Sequence, residues 1–158
     1  MSRAQDHEWL QKALVLAKLA ASQDEVPVGA VIVREGQIIG QGFNQREQSH
    51  NPLAHAELLA IQDAAHRLRS WRLIGCVLYS TLEPCPMCLA GSQQARLGEV
   101  VYGAQDPKGG ALSLGYLIHE DVRTNHRFAV RHSEESQCGQ ILKDFFKKKR
   151  NSKGDSFL

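Results

Sequence analysis

The chain has 158 residues, 42% hydrophobic and 23% charged, with a net charge of +2, the size of one compact domain that buries most of the surface its unfolded form exposes. No apolar run approaches the roughly 18 residues needed to span a bilayer, and the opening residues Met1-Ser2-Arg3-Ala4-Gln5-Asp6-His7-Glu8 are polar where an export signal is basic and then greasy. These features point away from a membrane protein or a secreted disulfide scaffold: a cytoplasmic location is expected, with Cys76, Cys85, Cys88 and Cys138 reduced.

In chain order, Trp9, Leu10, Ala13, Leu14, Ala17, Ala20 and Ala21 recur at helical spacing and predict an amphipathic helix over about 6–22. The β-rich runs 28–33 and 37–42 flank Arg34-Glu35-Gly36 and predict a hairpin. Asn51-Pro52 is expected to open a second helix carrying Ala54, Leu58, Leu59, Ile61 and Ala65, and 76–80 reads as a buried strand. Pro86 suits the first turn of a third helix. A strand over 99–103, a glycine-rich loop over 104–115, a short strand over 128–130 and a final helix from Glu134 to about Arg150, capped by Ser133, complete the layout. Helices between strands imply a sheet covered on both faces.

The charge is unevenly spread. From Val122 onward nine Lys/Arg face four Asp/Glu, a balance of +5 that leaves −3 on the first 121 residues. Phe145-Phe146 directly precede Lys147-Lys148-Lys149-Arg150, a combination that can hold a phosphate backbone. The same cations would also complement the dipole at a solvated helix C-terminus, so charge alone leaves both readings open.

Chemistry concentrates in His55-Ala56-Glu57 and Pro84-Cys85-Pro86-Met87-Cys88. Together they supply three zinc-type ligands and a spare carboxylate. A structural zinc site is normally closed by four protein ligands, whereas a catalytic one keeps three and leaves the fourth position to water. Pro52 is expected to put His55 and Glu57 in the first turns of one helix, with Cys85 and Cys88 near the start of another, where i and i+3 neighbours can chelate one ion. Two thiolates and a neutral imidazole balance Zn²⁺, which would remain a Lewis acid able to ionise bound water near neutral pH. Glu57 would shuttle the proton while hydroxide attacks a ring carbon bearing an amine, which is hydrolytic deamination. Two competing readings are a redox Cys-x-x-Cys pair and a closed structural site with Cys76 or Cys138 as fourth ligand. The first leaves His-x-Glu unexplained, and in the second either cysteine suits a small buried apolar role better. The other histidines carry no metal spacing.

The H-x-E and P-C-x-x-C pair is the signature of zinc nucleobase deaminases. The resemblance extends through Glu25-Val26-Pro27-Val28-Gly29-Ala30, Asn44, Thr81-Leu82-Glu83, Val101-Tyr102-Gly103-Ala104, Asp106, Lys108, Gly110, Asn125-His126-Arg127 and Asp144-Phe145-Phe146. Over nearly its whole length the chain resembles the bacterial tRNA-specific adenosine deaminases of the zinc-dependent cytidine/deoxycytidylate deaminase superfamily.

That resemblance implies an α/β chain with a three-layer α/β/α cytidine-deaminase-like fold around a mixed five-stranded sheet. Residues 1–150 would form a single zinc-dependent deaminase domain, while 151–158, which match nothing in the family pattern, read as a disordered basic tail. It implies one Zn²⁺ per subunit, a homodimer, no nucleotide cofactor, no membrane partner, and a tRNA anticodon loop as substrate. The reaction implied is adenosine to inosine at the wobble position (34), on arginine tRNA with an ACG anticodon. Carried over residue by residue, His55, Cys85 and Cys88 match the metal ligands, Glu57 the proton shuttle and Asn44 a contact to the flipped nucleoside. Pro27, Val28 and Gly29 match a wall of the base pocket, with Ala56 a further substrate-binding position, Asp106 and Lys108 match an RNA-contacting loop, and Asn125, His126, Phe146, Lys147 and Arg150 match positions near the anticodon. An unpaired anticodon base is cheap to unstack, which suits a site lined by loops and basic residues. Two alternatives remain: a free purine or pyrimidine base or nucleoside deaminase, and a zinc-stabilised RNA-binding module without turnover.

Overall fold

Strand alternation separates the two faces of the central sheet. The computed structural model describes residues 2–155. In β1 (Gly29–Arg34) Ala30 and Ile32 point into one apolar cluster while Val31 and Val33 point into another. In β3 (Val77–Leu82) Leu78 joins the first cluster, and Val77 and Tyr79 the second. With β2 (Gln37–Phe43), β4 (Glu99–Ala104) and β5 (Ala129–His132), the order across the sheet is β2-β1-β3-β4-β5. The β1 pairings with β2 and β3 are antiparallel, and β3, β4 and β5 run parallel, so the five-stranded sheet is mixed as expected.

The first face is covered by α2 (Ala56–Leu68) and α3 (Pro86–Gln94), the second by α1 (Arg3–Ser22) and α4 (Ser136–Asp155). This is the three-layer α/β/α arrangement. None of the helices among the described residues is long and apolar enough to cross a membrane.

Small residues set how close the layers come. A Cβ on Gly29 would lie 2.0 Å from the Ala13 carbonyl oxygen of α1, and one on Gly40 would lie 2.5 Å from that of Ala60 in α2. Gly42 is equally tight against Ala56, at 2.5 Å. Glycine in a strand interior commonly marks such a close backbone approach.

Two helix starts differ from the sequence expectation. Asn51-Pro52 do not open α2: the Asn51 side chain accepts from the Leu53 amide, and the amides of Ser49, Asn51 and Ala54 bond to carbonyls within the loop. Asn51 therefore builds an Asx-type turn instead of a cap, and the helix begins four residues after Pro52 with His55 as its extended N-cap. Nor does Ser133 cap the last helix. The Ser133 and Glu135 amides donate to Tyr102 and Gly103 of β4, which keeps the chain extended until α4 starts at Ser136.

At its other end α4 runs to Asp155, so residues 151–155 of the expected disordered tail are helical, and 156–158 lie outside the described residues. The Ser152 hydroxyl bonds back to the Lys148 carbonyl, and Lys153 lies in the last turn, where a cation complements the helix dipole.

Gly40→Ala should lower the unfolding free energy by about 1–3 kcal/mol through overpacking against α2. Urea denaturation followed by circular dichroism reads this as a lower midpoint. An unchanged midpoint would show that α2 can give way.

Candidate active site

The site forms where two helices begin. After β3 ends, Glu83 and Pro84 lead to Cys85, the extended N-cap of α3, and Pro86 takes the N1 position, where its missing N–H removes no helical bond. His55 stands at the same position in α2. Each N-cap carbonyl accepts the first helical bond, from Leu59 and Leu89 respectively. Gly91 lets α3 lie against α2, since a Cβ there would be 2.6 Å from the Leu58 side chain. The place is the carboxyl end of parallel strands, where α/β sheets usually bind ligands.

Cys85 Sγ lies 3.6 Å from Cys88 Sγ and 3.5 Å from His55 Nδ1, and Cys88 Sγ lies 3.4 Å from His55 Nδ1. A tetrahedral ion about 2.3 Å from each sulfur and about 2.0 Å from the nitrogen would have edges of about 3.8 Å between sulfurs and about 3.5 Å from sulfur to nitrogen. The three donors fit that triangle. They are the one such group of three among the described residues, and Cys76 and Cys138 are each buried elsewhere, in separate apolar clusters. A closed four-ligand site built with either is therefore not present.

The three donor groups prepare one another electrostatically. A hydrogen bond from the Cys88 thiol, and a second from His55, bring the Cys85 thiol down to about 4, against the opposing effect of burial. Cys88 moves upward because its proton serves Cys85 and because it is buried. His55 is raised by its bond to Cys85, against desolvation. Glu57, only 4% exposed in the first turn of α2, is raised by desolvation.

A cavity of about 250 Å³ opens beside this group, below the ~300–1,000 Å³ usual for drug-sized ligands. Its walls include His55, Ala56, Glu57 and Cys85, together with Val28, Asn44, Asp106 and Phe146. Asn44 is tied at both ends of its amide: Nδ2 donates to the Val26 carbonyl and Oδ1 accepts from the Arg46 amide.

Other residues named from the sequence lie outside the cavity lining. Pro27 is buried between Val26 and Val28, Lys108 is exposed on its loop, and Lys147 and Arg150 are exposed on α4. Asn125 is exposed, while the His126 ring bonds the Leu97 carbonyl at 2.7 Å and stacks on Phe128. Four lining residues carried no assigned role in the sequence: Val26, Arg46, Leu82 and Glu83. Arg46 had a faint signal, as a cation two residues beyond Asn44.

Phe146 also borders an open groove that adjoins the cavity and includes Arg46, Phe145, Lys149 and Lys153. Lys149 Nζ lies 2.6 Å from Asp24 and over the Phe145 ring. The basic aromatic segment of α4 therefore borders the cavity mouth.

The fold and the site define a deaminase: the model of the MafB19-like deaminase family matches residues 4–150. The tRNA-specific adenosine deaminase of Bacillus subtilis (strain 168) is 42% identical over 150 residues, covering 94% of this chain and 93% of that protein. A solved structure from studies of A-to-I editing by tRNA:A34 deaminases at the wobble position of transfer RNA is 40% identical, with a TM-score of 0.81, covering 86% of this chain and 99% of the other. Guanine deaminase from Bacillus subtilis is 36% identical with a TM-score of 0.61, over 75% of this chain and 76% of the other. The chain belongs to the tRNA-specific adenosine deaminase family.

Metal binding must displace the proton shared by Cys88 and Cys85, and His55 must bind neutral. Both groups are held protonated above their ordinary values, so apparent zinc affinity should rise with pH from about 5 to about 8. Calorimetric titration in buffers of different ionisation enthalpy should show proton release on binding. A pH-independent affinity without proton release would contradict the ligand set.

Proposed function

We propose that this chain is a zinc-dependent tRNA adenosine deaminase that converts adenosine to inosine at the wobble position (34), with arginine tRNA bearing an ACG anticodon as substrate. The observation that carries the reading is a cavity small enough for one base, with buried Glu57 beside the His55, Cys85 and Cys88 group and the basic aromatic stretch of α4 at its mouth. Nucleobase deaminases act on a base taken out of its stack, and an anticodon loop presents unpaired bases at low unstacking cost.

His55, Cys85 and Cys88 would hold one Zn²⁺ per subunit, which supplies Lewis acidity that lowers the pKa of a water at the open position. Glu57 does the proton work. Burial raises its carboxyl, which favours its carrying protons between partners: it takes one from the attacking water and gives it to the ring nitrogen, then takes the second from the oxygen added at the ring carbon and gives it to the amine, which leaves as ammonia. Val28 and Ala56 form apolar walls against the base, and Asn44, held by its two main-chain bonds, presents its remaining amide proton and lone pair to the nucleoside. Phe146 offers a stacking face at the rim, and Arg46 a cation for the phosphate backbone. Lys147 and Arg150, exposed on α4, and Lys108, Asn125 and His126 would meet RNA beyond the base itself.

A homodimer is part of the same reading. Tyr116, Leu117 and Val122 border one open surface groove and are each at least half exposed, apolar surface that a second copy would cover. A tRNA-modifying role places the protein in the cytoplasm.

The second reading, deamination of a free base, draws on the similarity to guanine deaminase. Sequencing tRNA before and after incubation separates the two. The proposal expects inosine at position 34 of the ACG anticodon, and ammonia from free guanine or cytidine without inosine in tRNA would overturn it. Glu57→Ala should reduce inosine formation by at least about 10²-fold while one zinc per chain and RNA binding persist. Undiminished editing by that variant would remove Glu57 from the proton path.

A further inference from the structure

Glu83 is a carboxylate that the chemistry above does not use. It is 2% exposed, two residues before Cys85, and its oxygens are committed to the loop that follows β4. Oε1 accepts from the Asp106 amide at 3.2 Å and the Ser113 hydroxyl at 2.6 Å, and Oε2 accepts from the Ser113 amide at 2.9 Å. The main chain repeats the tie: the Glu83 amide donates to Ala104, and the Ala111 amide donates to Pro84. Gly110 passes directly over the carboxylate, where a Cβ would lie 1.9 Å from Oε2. Asp106, whose Oδ1 accepts from the Lys108 and Gly109 amides, is the part of this loop that reaches the cavity.

A buried carboxylate left without donors would be strongly unfavourable. Glu83 meets that need with loop groups alone, so the carboxylate and the loop order each other. Glu25 has the same relation to the opposite wall. It is fully buried and accepts from the Glu47 and Gln48 amides, just beyond Asn44 and Arg46.

We propose that Glu83 is a positioning residue: its carboxylate fixes the 106–113 loop, and with it Asp106, against the cavity mouth, so that it governs how tightly RNA is held and not the rate of the chemical step. This rests on RNA being the substrate. A loop released from Glu83 must be ordered again each time substrate binds, which weakens binding while leaving the metal ligands and Glu57 in place.

The test compares Ser113→Ala, Glu83→Gln and Glu83→Ala in steady-state deamination of tRNA, with zinc content measured alongside. Hydrogen bonds to charged groups are worth enough that losing one should raise KM about tenfold. Ser113→Ala removes one of the three donors from an exposed loop position and keeps the comparison decisive if Glu83→Ala does not fold. The expected pattern is KM raised about tenfold in Ser113→Ala and further in Glu83→Ala, with kcat falling less than about threefold. Glu83→Gln retains an acceptor and should recover part of the loss seen in Glu83→Ala. A fall in kcat at unchanged KM, or no change in either, would overturn the proposal. Hydrogen exchange at the Asp106 and Ser113 amides supplies a substrate-free arm: faster exchange in Glu83→Gln supports the anchor, and unchanged exchange overturns it. Absence of inosine with the unsubstituted protein would instead count against the RNA reading, leaving the exchange arm to decide on Glu83.

Discussion

The whole site depends on two helix N-termini meeting at one end of the sheet. His55 and Cys85 are both extended N-cap residues, and neither uses its side chain to cap its helix, so both side chains are free to converge. Convergence requires close approach. Gly40 and Gly42 let the Ala56, Ala60 and Ala64 face of α2 settle onto β2, and Gly91 lets α3 lie against Leu58 of α2. With larger residues at these points the triangle of donors would open and no longer match the edges a tetrahedral ion requires.

Hydrogen bonds then set the charge state of Cys85 and His55, against the effect of burial. Cys85 is held as a thiolate by hydrogen bonds from Cys88 and His55, and the positive end of the α3 dipole acts in the same sense. Glu57 lies in the same dry region without belonging to the ligand triangle. The outer parts of the site are held differently. Asn44 is tethered to main chain on both sides, and the buried carboxylates Glu25 and Glu83 each collect amides from one flanking loop. Rigid inner groups with individually pinned loops fit a site whose substrate is larger than its cavity.

Much of this was legible in the sequence because it is local. Cys-x-x-Cys around a proline and His-x-Glu fix ligand type and spacing within a turn or two, and alternating apolar runs mark the strands. The start of α2 was not legible, since Asn51 suits a cap and a turn equally, and only the contacts of the 45–54 loop decide. Phe146, named for its basic neighbours and for the family resemblance, does border the cavity, whereas His126 turns its ring to Leu97 and Phe128. Arg46 and Glu83 went without roles for a related reason. Their importance comes from partners far along the chain or across a loop, which no periodicity records.

The central claim is a metal site with three protein ligands, two sulfurs and one nitrogen, left open toward the cavity. X-ray absorption spectroscopy at the zinc edge of the zinc-loaded protein tests it most directly. The account predicts two sulfur scatterers at about 2.3 Å and two lighter ones at about 2.0 Å, one from His55 and one from solvent. A third sulfur, or a shell closed by a fourth protein ligand, would contradict it.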